Sequence, residues 1–406
     1  MASTTAAGRF ARPISTLGLA LFGLTGVGAA QEHTLTVGKP ADVGMSAGIL
    51  AGGVARYQEA VDAGDLVGVV LLVAKDGKVV LHEALGWRDK ARGIAMEKST
   101  MFRMASNTKP VVATAIGILA DRKQLAYDDL VRASIPRFDN YRAGFIQIHH
   151  LLTHTSGFRI GTLFLPAEQG APENAVRTLQ SEVARFGPVG AAVLPGTSFS
   201  YSNPGFNTLG ALIEIKSGKP LEVFLRDEIY QPLGMVDSYH METADKLDGK
   251  LGRMSVVYYQ KKDGEWVPGW TPGDPPQVPF VRASGGMIST AWDYAIFLQT
   301  FLNGGSYGGR RILERKTVER MTSPLTRHDL GERVAGYTEG HAYGYGWSVA
   351  PDGVYSHSGS DGTMAWVDPA RNLFGLVFTQ TPRGRNPTAE FQALVDLALE
   401  AGPDAR

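Results

Sequence analysis

From Leu66 to Ala74 the chain reads Leu-Val-Gly-Val-Val-Leu-Leu-Val-Ala, dense in β-branched residues and too short for a helix. Asp76-Gly77 follows, then Val79-Val80-Leu81-His82-Glu83-Ala84-Leu85-Gly86, so the two runs predict an antiparallel hairpin. Before them, Ser46 to Ala63 has the apolar spacing of an amphipathic helix, with Ser46 as its N-cap. The stretch Met101 to Pro110 reads as an irregular approach to a buried helix, because the apolar run Val111 to Ala120 comes directly after it. Proline and glycine then punctuate several helical stretches, among them Phe206 to Lys216 and Leu221 to Tyr230. Glu265 to Phe280, rich in proline, glycine and tryptophan, is expected to be a long loop, either a pocket wall or a surface loop without a role. Thr290 to Leu302 is again an amphipathic helix, stopped by Asn303-Gly304-Gly305. Gly362 to Trp366 and Leu373 to Thr379 flank Asp368-Pro369-Ala370-Arg371-Asn372, a second hairpin pattern, and a helix over about Pro387 to Glu400 closes the chain.

Strands at both ends around a helical middle predict one α+β domain over 31–406. Its antiparallel sheet is built from both chain ends (about 44–105 and 281–402), flanked by helices, with a mostly helical insert at about 106–280. The active site is expected in the crevice between the two parts.

Composition narrows the class without naming a function. The 406 residues carry 40 basic and 40 acidic side chains, which argues against nucleic acid as a partner. Arg9 and Arg12, the mostly apolar run Ile14 to Val27 and the small residues Gly28-Ala29-Ala30 form a signal-peptide pattern over 1–30. The mature chain is therefore expected in the periplasm or outside the cell, with no stable membrane span. The absence of cysteine excludes disulfides and lipid-modified cysteine.

Candidate chemistry starts at Ser106-Asn107-Thr108-Lys109, the only Ser-x-x-Lys in the chain. At a helix start this spacing lets the Lys109 amine reach the Ser106 hydroxyl. A hydroxyl needs a base to act as nucleophile, and a lysine that loses hydration on burial has the lowered pKa to be one. The free N–H groups of the helix start can stabilise a developing oxyanion. Three further stretches combine hydroxyls, amides or histidine with glycine: Leu151-Leu152-Thr153-His154-Thr155-Ser156-Gly157, Phe199-Ser200-Tyr201-Ser202-Asn203-Pro204-Gly205 and His357-Ser358-Gly359-Ser360. Tyr-x-Asn occurs once among fourteen tyrosines.

With these four stretches in this order, the chain resembles the serine β-lactamase and penicillin-binding superfamily, closest to its class C-like branch of β-lactamases, D-alanyl-D-alanine carboxypeptidases and family VIII carboxylesterases. The resemblance runs from about Gly44 to the last helix and implies a β-lactamase/transpeptidase-like fold. It implies that Ser106 is the nucleophile, that Lys109 holds or relays its proton, and that Tyr201 is a general base. It gives Asn203 a role in binding substrate and placing Lys109. His357, Ser358 and Gly359 would line the substrate, and the backbone N–H groups of Ser106 and Ser360 would form the oxyanion hole. Neither metal nor cofactor is expected. A phenolate at Tyr201 would need nearby cations: Lys109 is one, and His357, if protonated, would be a second. The third motif departs from the lysine of most β-lactamases of the superfamily, so an uncharged or small acyl substrate fits better than a β-lactam.

The expected function is thus an exported serine hydrolase cleaving a small-molecule ester or amide through an acyl-enzyme, an esterase first, with a β-lactamase or D-alanyl peptidase as the alternative. A non-catalytic ligand sensor would be expected to lose Ser106, Lys109 or Tyr201, and all three are present. An α/β-hydrolase elbow at Ser46 or Ser306 lacks the strand before it. A zinc site at His150 and His154 lacks a carboxylate between them, and His154 is expected to bond the backbone of its own turn. The pair Gly285-Gly286 is expected to make a tight turn beside the pocket.

Overall fold

Ser46 caps the first long helix, α1 (Ala47–Asp62), its Oγ accepting the Ile49 N–H at 3.2 Å. The apolar runs that follow are strands β1 (Gly68–Lys75) and β2 (Lys78–Asp89), joined by the tight Asp76-Gly77 turn. Helix α2 (Thr108–Asp121) begins after a single 3₁₀ turn, Ala105–Asn107, and is buried along nearly its whole length. Helix α3 (Asn203–Ser217) has Ser202 as its cap and Pro204 in its first turn, where a proline costs no hydrogen bond. The Leu221 to Tyr230 stretch is α-helical to Leu225 and then widens into a π turn over Arg226–Tyr230.

Strands β3 (Val257–Gln260) and β4 (Trp266–Trp270) form an antiparallel hairpin, and this corrects the loop expected from Glu265 to Phe280. Pro268 is accommodated because the register shifts between Val257 and Tyr258 opposite it. Trp266 donates its indole N–H to Gly64 O at 2.7 Å and Trp270 packs on Met101, Met254 and Ile288, so both tryptophans pin the hairpin. Only residues 271–280 remain irregular. Strand β5 (Met287–Ser289) leads into α4 (Ala291–Leu302), capped by Thr290. The C-terminal part supplies β6 (Ala342–Tyr343), β7 (Ser348–Val349), β8 (Tyr355–Ser358), β9 (Thr363–Asp368) and β10 (Leu373–Thr379), then helix α5 (Thr388–Ala401). The computed structural model describes residues 32–166, 176–326 and 342–404, so the signal-peptide pattern lies outside the described residues.

The central sheet runs β2-β1-β10-β9-β8-β7-β6, with Thr36–Val37 added parallel to the outer edge of β2. Strands from the two chain ends meet where β1 pairs with β10, Val69 opposite Thr379 and Lys75 opposite Leu373. Period-two alternation then sends Val70, Leu72 and Ala74 to a core shared with α2, α3 and α4. Val69, Leu71 and Val73 go to the opposite face, against Leu50 and Tyr57 of α1 and Phe391, Val395 and Ala398 of α5. Both faces are covered, which is why β1 carries no polar alternation. Among the described residues no helix is long and apolar enough to cross a membrane.

Candidate active site

The 3₁₀ turn carrying Ser106 is wedged between the end of β8 and the start of β5. Met104 N donates to Met287 O at 2.9 Å, and the Thr363 hydroxyl donates to Met104 O at 3.1 Å. Asn107 Nδ2 donates to that same hydroxyl at 2.9 Å, and Tyr294 OH donates to Asn107 O at 2.9 Å. Ala105 holds a left-handed backbone, φ 45°, which costs a non-glycine residue about 1–2 kcal/mol. Gly359 lets β8 come this close. A Cβ there would lie 2.4 Å from Met104 O and 2.3 Å from Thr363 Oγ1. The third motif therefore touches the nucleophile turn through backbone, which only glycine permits.

Ser106 is half-buried, whereas Lys109 is 0% exposed. The Lys109 Nζ lies 2.9 Å from Ser106 Oγ, 2.9 Å from Asn203 Oδ1 and 2.9 Å from Ser284 O. It also sits 4.6 Å from the Tyr201 ring centre and 5.7 Å from that of Phe206. Burial holds its pKa well below the usual lysine range, and the charge of Arg282 acts in the same direction. The Asn203 and Ser284 oxygens can only accept, so a neutral amine spends its two N–H bonds on them and turns its lone pair to the Ser106 hydroxyl. Burial raises the Tyr201 pKa above the usual phenol range, a hydrogen bond with Ser106 opposing the shift, so the side chain is a phenol at neutral pH.

His357 is buried on β8. Its Nδ1 is 2.8 Å from Ser358 O, a pure acceptor, so the proton is on Nδ1 and Nε2 accepts from Tyr343 OH at 3.0 Å. Burial pushes its pKa down to about 3, with the Lys109 charge contributing. His357 therefore does not supply the second cation that its protonated form would have given: it stands as a neutral imidazole, its ring centre 6.4 Å from that of Tyr201. Ser358 follows on the alternate, exposed side of the strand, and Ser360 is exposed just beyond Gly359.

His154 also differs from expectation. Rather than closing its own turn, its Nδ1 accepts the Ser202 N–H at 3.0 Å, and its carbonyl accepts the Ser200 N–H at 2.8 Å. The ring lies 4.3 Å from Tyr201 and 5.0 Å from Phe206, centre to centre. It is fully buried, with its pKa held well below the usual histidine range by burial and by the charge of Lys109. His154 thus grips both sides of Tyr201. His150 turns elsewhere, its Nδ1 accepting the Gln147 N–H at 3.1 Å.

The sequence reading also passed over Asn207. One helical turn beyond Asn203, its Oδ1 accepts Ala283 N at 3.1 Å and Ser284 N at 2.9 Å, fixing the carbonyl that holds Lys109. The i, i+4 spacing of two asparagines on α3 was the available signal. Gly285-Gly286 follows that carbonyl, with Gly286 at φ 120° and its oxygen accepting Met241 N.

Comparison with known proteins places the chain among relatives. The family described as Beta-lactamase matches residues 54–399. Esterase EstB of Burkholderia gladioli is 29% identical over 368 residues, covering 80% of this chain and 89% of that protein. A putative D-alanyl-D-alanine carboxypeptidase of Escherichia coli (strain K12) is 27% identical over 407 residues, 90% of this chain and 89% of that one. Among solved structures, EstCE1, described as a hydrolase with promiscuous acyltransferase activity, shares the fold with a TM-score of 0.70 and 24% identity, over 87% of this chain and 98% of that chain.

Proposed function

The chain belongs to the beta-lactamase family of serine hydrolases, and from that premise we propose that it is an exported carboxylesterase-type enzyme that cleaves small esters through a Ser106 acyl-enzyme. The observation that carries this reading is the fully buried Lys109 amine, 2.9 Å from Ser106 Oγ and held by two oxygens that only accept. A base of this kind is ready to take the Ser106 proton at neutral pH.

The proton movements balance over the cycle. Ser106 Oγ attacks the ester carbonyl as its proton passes to Lys109, and the backbone N–H groups of Ser106 and Ser360 receive the oxyanion. Collapse of the tetrahedral intermediate breaks the bond to the alcohol oxygen, which takes the phenolic proton of Tyr201. An ammonium and a phenolate then face each other, each lowering the cost of the other's charge. Water gives a proton to the phenolate and attacks the acyl carbonyl, and Lys109 returns its proton to Ser106 Oγ as the acid departs. Neutral His357 takes no part in these transfers. It braces the strand that carries Gly359 and Ser360.

The test is turnover of a chromogenic short-chain ester beside a chromogenic cephalosporin, by the mature protein and by Ser106→Ala. Ester hydrolysis that disappears with Ser106, with little cephalosporin opening, is the expected result. Ester turnover that survives Ser106→Ala would end the acyl-enzyme reading. A non-hydrolytic sensor would bind the acyl compound without releasing product in either protein.

A further inference from the structure

Two surface segments of the helical insert lie side by side: the turn Asp139 to Phe145, just before the short helix Ile148–Leu152, and the stretch Phe186 to Leu194, on the way to Tyr201. A Cβ built on Gly190 would lie 2.5 Å from Arg142 Cβ, Asn140 Nδ2 donates to Gly187 O at 3.1 Å, and Ala191 pairs with Phe158. Both segments end in apolar side chains that face water. Tyr141 is 79% exposed, Phe145 60%, Leu194 63% and Val193 46%. Exposed apolar side chains are ordinary where they stand singly; four of them on two adjoining segments make a patch.

The charge around the patch has one sign. From Leu130 to Pro166 and from Phe186 to Ser200 the chain carries four arginines and one acid, in a protein whose formal charge is zero. That acid, Asp139, is taken by Arg132 at 2.9 Å. Arg142 lies 5.1 Å from the Tyr141 ring centre and donates to its hydroxyl at 2.6 Å, while Arg159 donates to Val189 O at 2.8 Å. Arg137, Arg142 and Arg159 thus border the patch with no carboxylate within 4.0 Å among the described residues.

This combination selects the partner. A second copy docked by the same patch would set these arginines against their own images. An anionic polymer would use the arginines and leave the apolar tips in water. A surface with an anionic outer layer over hydrocarbon satisfies both sets of side chains. No described helix is long and apolar enough to cross such a layer, so contact would stay at its interface. The site is close by along the chain: Gly196 N donates to Thr155 O at 2.8 Å and Ser200 N to His154 O at 2.8 Å, immediately before Tyr201.

We propose that this patch docks the protein on an anionic lipid surface. Tyr141, Phe145, Val193 and Leu194 enter the boundary between headgroups and acyl chains, and Arg137, Arg142 and Arg159 pair with lipid phosphates. The proposal does not depend on the acyl-enzyme chemistry.

Sedimentation of the mature protein with vesicles tests it, using phosphatidylcholine mixed with phosphatidylglycerol in equal parts beside phosphatidylcholine alone. Binding to the anionic vesicles is expected to be at least about tenfold tighter and to weaken as salt rises. Two double variants, Tyr141→Ser with Phe145→Ser and Arg137→Gln with Arg142→Gln, are each expected to weaken it at least about tenfold. Their thermal midpoints and their turnover of a soluble short-chain ester should match the wild type. Ser106→Ala should bind vesicles as the wild type does, so failure of the acyl-enzyme reading would leave this proposal standing, and the reverse. Equal binding to the two kinds of vesicle, or binding that ignores either double variant, would overturn the proposal. Loss through the arginine pair alone would mean adsorption by charge without insertion. Absence of vesicle binding, with a lipid-free dimer that Tyr141→Ser and Phe145→Ser dissociate, would assign the patch to a second copy instead.

Discussion

Lys109 must release a proton from Ser106 early in the cycle and give it back at the end, and its three neighbours suit both states. An ammonium donates to Ser106, Asn203 and Ser284, while a neutral amine keeps the last two and accepts from the first, so no side chain has to move. Lys109→Ala and Tyr201→Phe are each expected to slow ester turnover at least about a hundredfold, read as kcat, because each removes an acid–base partner. Lys109→Arg should fare no better, since a guanidinium keeps its proton at any working pH. Activity requires the neutral amine, so kcat/KM should rise with pH and level off well below the pH at which an ordinary lysine deprotonates. A limb centred near the usual lysine value would contradict the assignment of the base. His154 acts one step away, through Tyr201. His154→Leu leaves the buried Ser202 N–H without an acceptor, at a cost of about 1–3 kcal/mol, and frees the ring beside it. His154→Asn keeps an acceptor and tolerates the left-handed φ of 58°, so it should retain more kcat and a higher thermal midpoint than the leucine variant. Equal losses in the two would mean that packing alone is at stake.

At the scale of elements, the end of β8 has to approach the Ser106 turn by backbone, and Gly359 is the residue that allows it. Gly359→Ala should lower kcat at least about tenfold with a smaller change in KM, because a Cβ 2.4 Å from Met104 O forces this strand end away from the Ser106 turn and misaligns the Ser106 and Ser360 amides. A KM effect alone would place Gly359 in substrate binding instead. Elements of this kind were legible in the sequence where one local rule governed them. The β1–β2 hairpin followed from an apolar run and Asp-Gly, α1 from a serine cap and helical spacing, and the β9–β10 hairpin from its polar turn. The Trp266–Trp270 strand was hidden because proline and glycine argued for a loop, while two distant contacts, Gly64 and the Met101 cluster, hold it extended. The same division holds in the site. Ser106 and Lys109 are one turn apart, so their contact could be read directly. The Asn207 bond to Ser284 and the His154 bond to Ser202 span 77 and 48 residues, and no local pattern announces them. The charge state of His357 was hidden as well, since it depends on burial and on Tyr343 rather than on neighbouring letters.

Across the whole molecule, the same burial that tunes the site sets how stability responds to acid. Burial pushes the pKa values of His82, His150 and His240 down to about 4 and that of His357 to about 3, and burial with the charge of Lys109 holds His154 well below the usual histidine range. The unfolded chain protonates these rings near pH 6.5 and the folded chain refuses the protons, so stability is intact above about pH 6.5 and lost as pH falls toward 4. Asp293 works the other way. Its carboxyl is raised to about 6 by burial, and the stability linked to it is present below its ordinary range and lost as pH rises through about 6. Glu214, raised by burial, sides with Asp293, and His149, lowered by burial, sides with the other five rings, so two acids oppose six histidines and the histidines decide the sign. The thermal midpoint should therefore fall by at least about 5 °C between pH 7 and pH 4.5, as followed by circular dichroism. His240→Gln keeps an amide able to donate toward the Arg282 carbonyl without a titrating ring, so it should flatten the dependence in proportion to one histidine. A midpoint that holds or rises on acidification would mean that these rings already carry their protons in the folded chain, and the neutral imidazole beside Tyr201 would have to be given up with them.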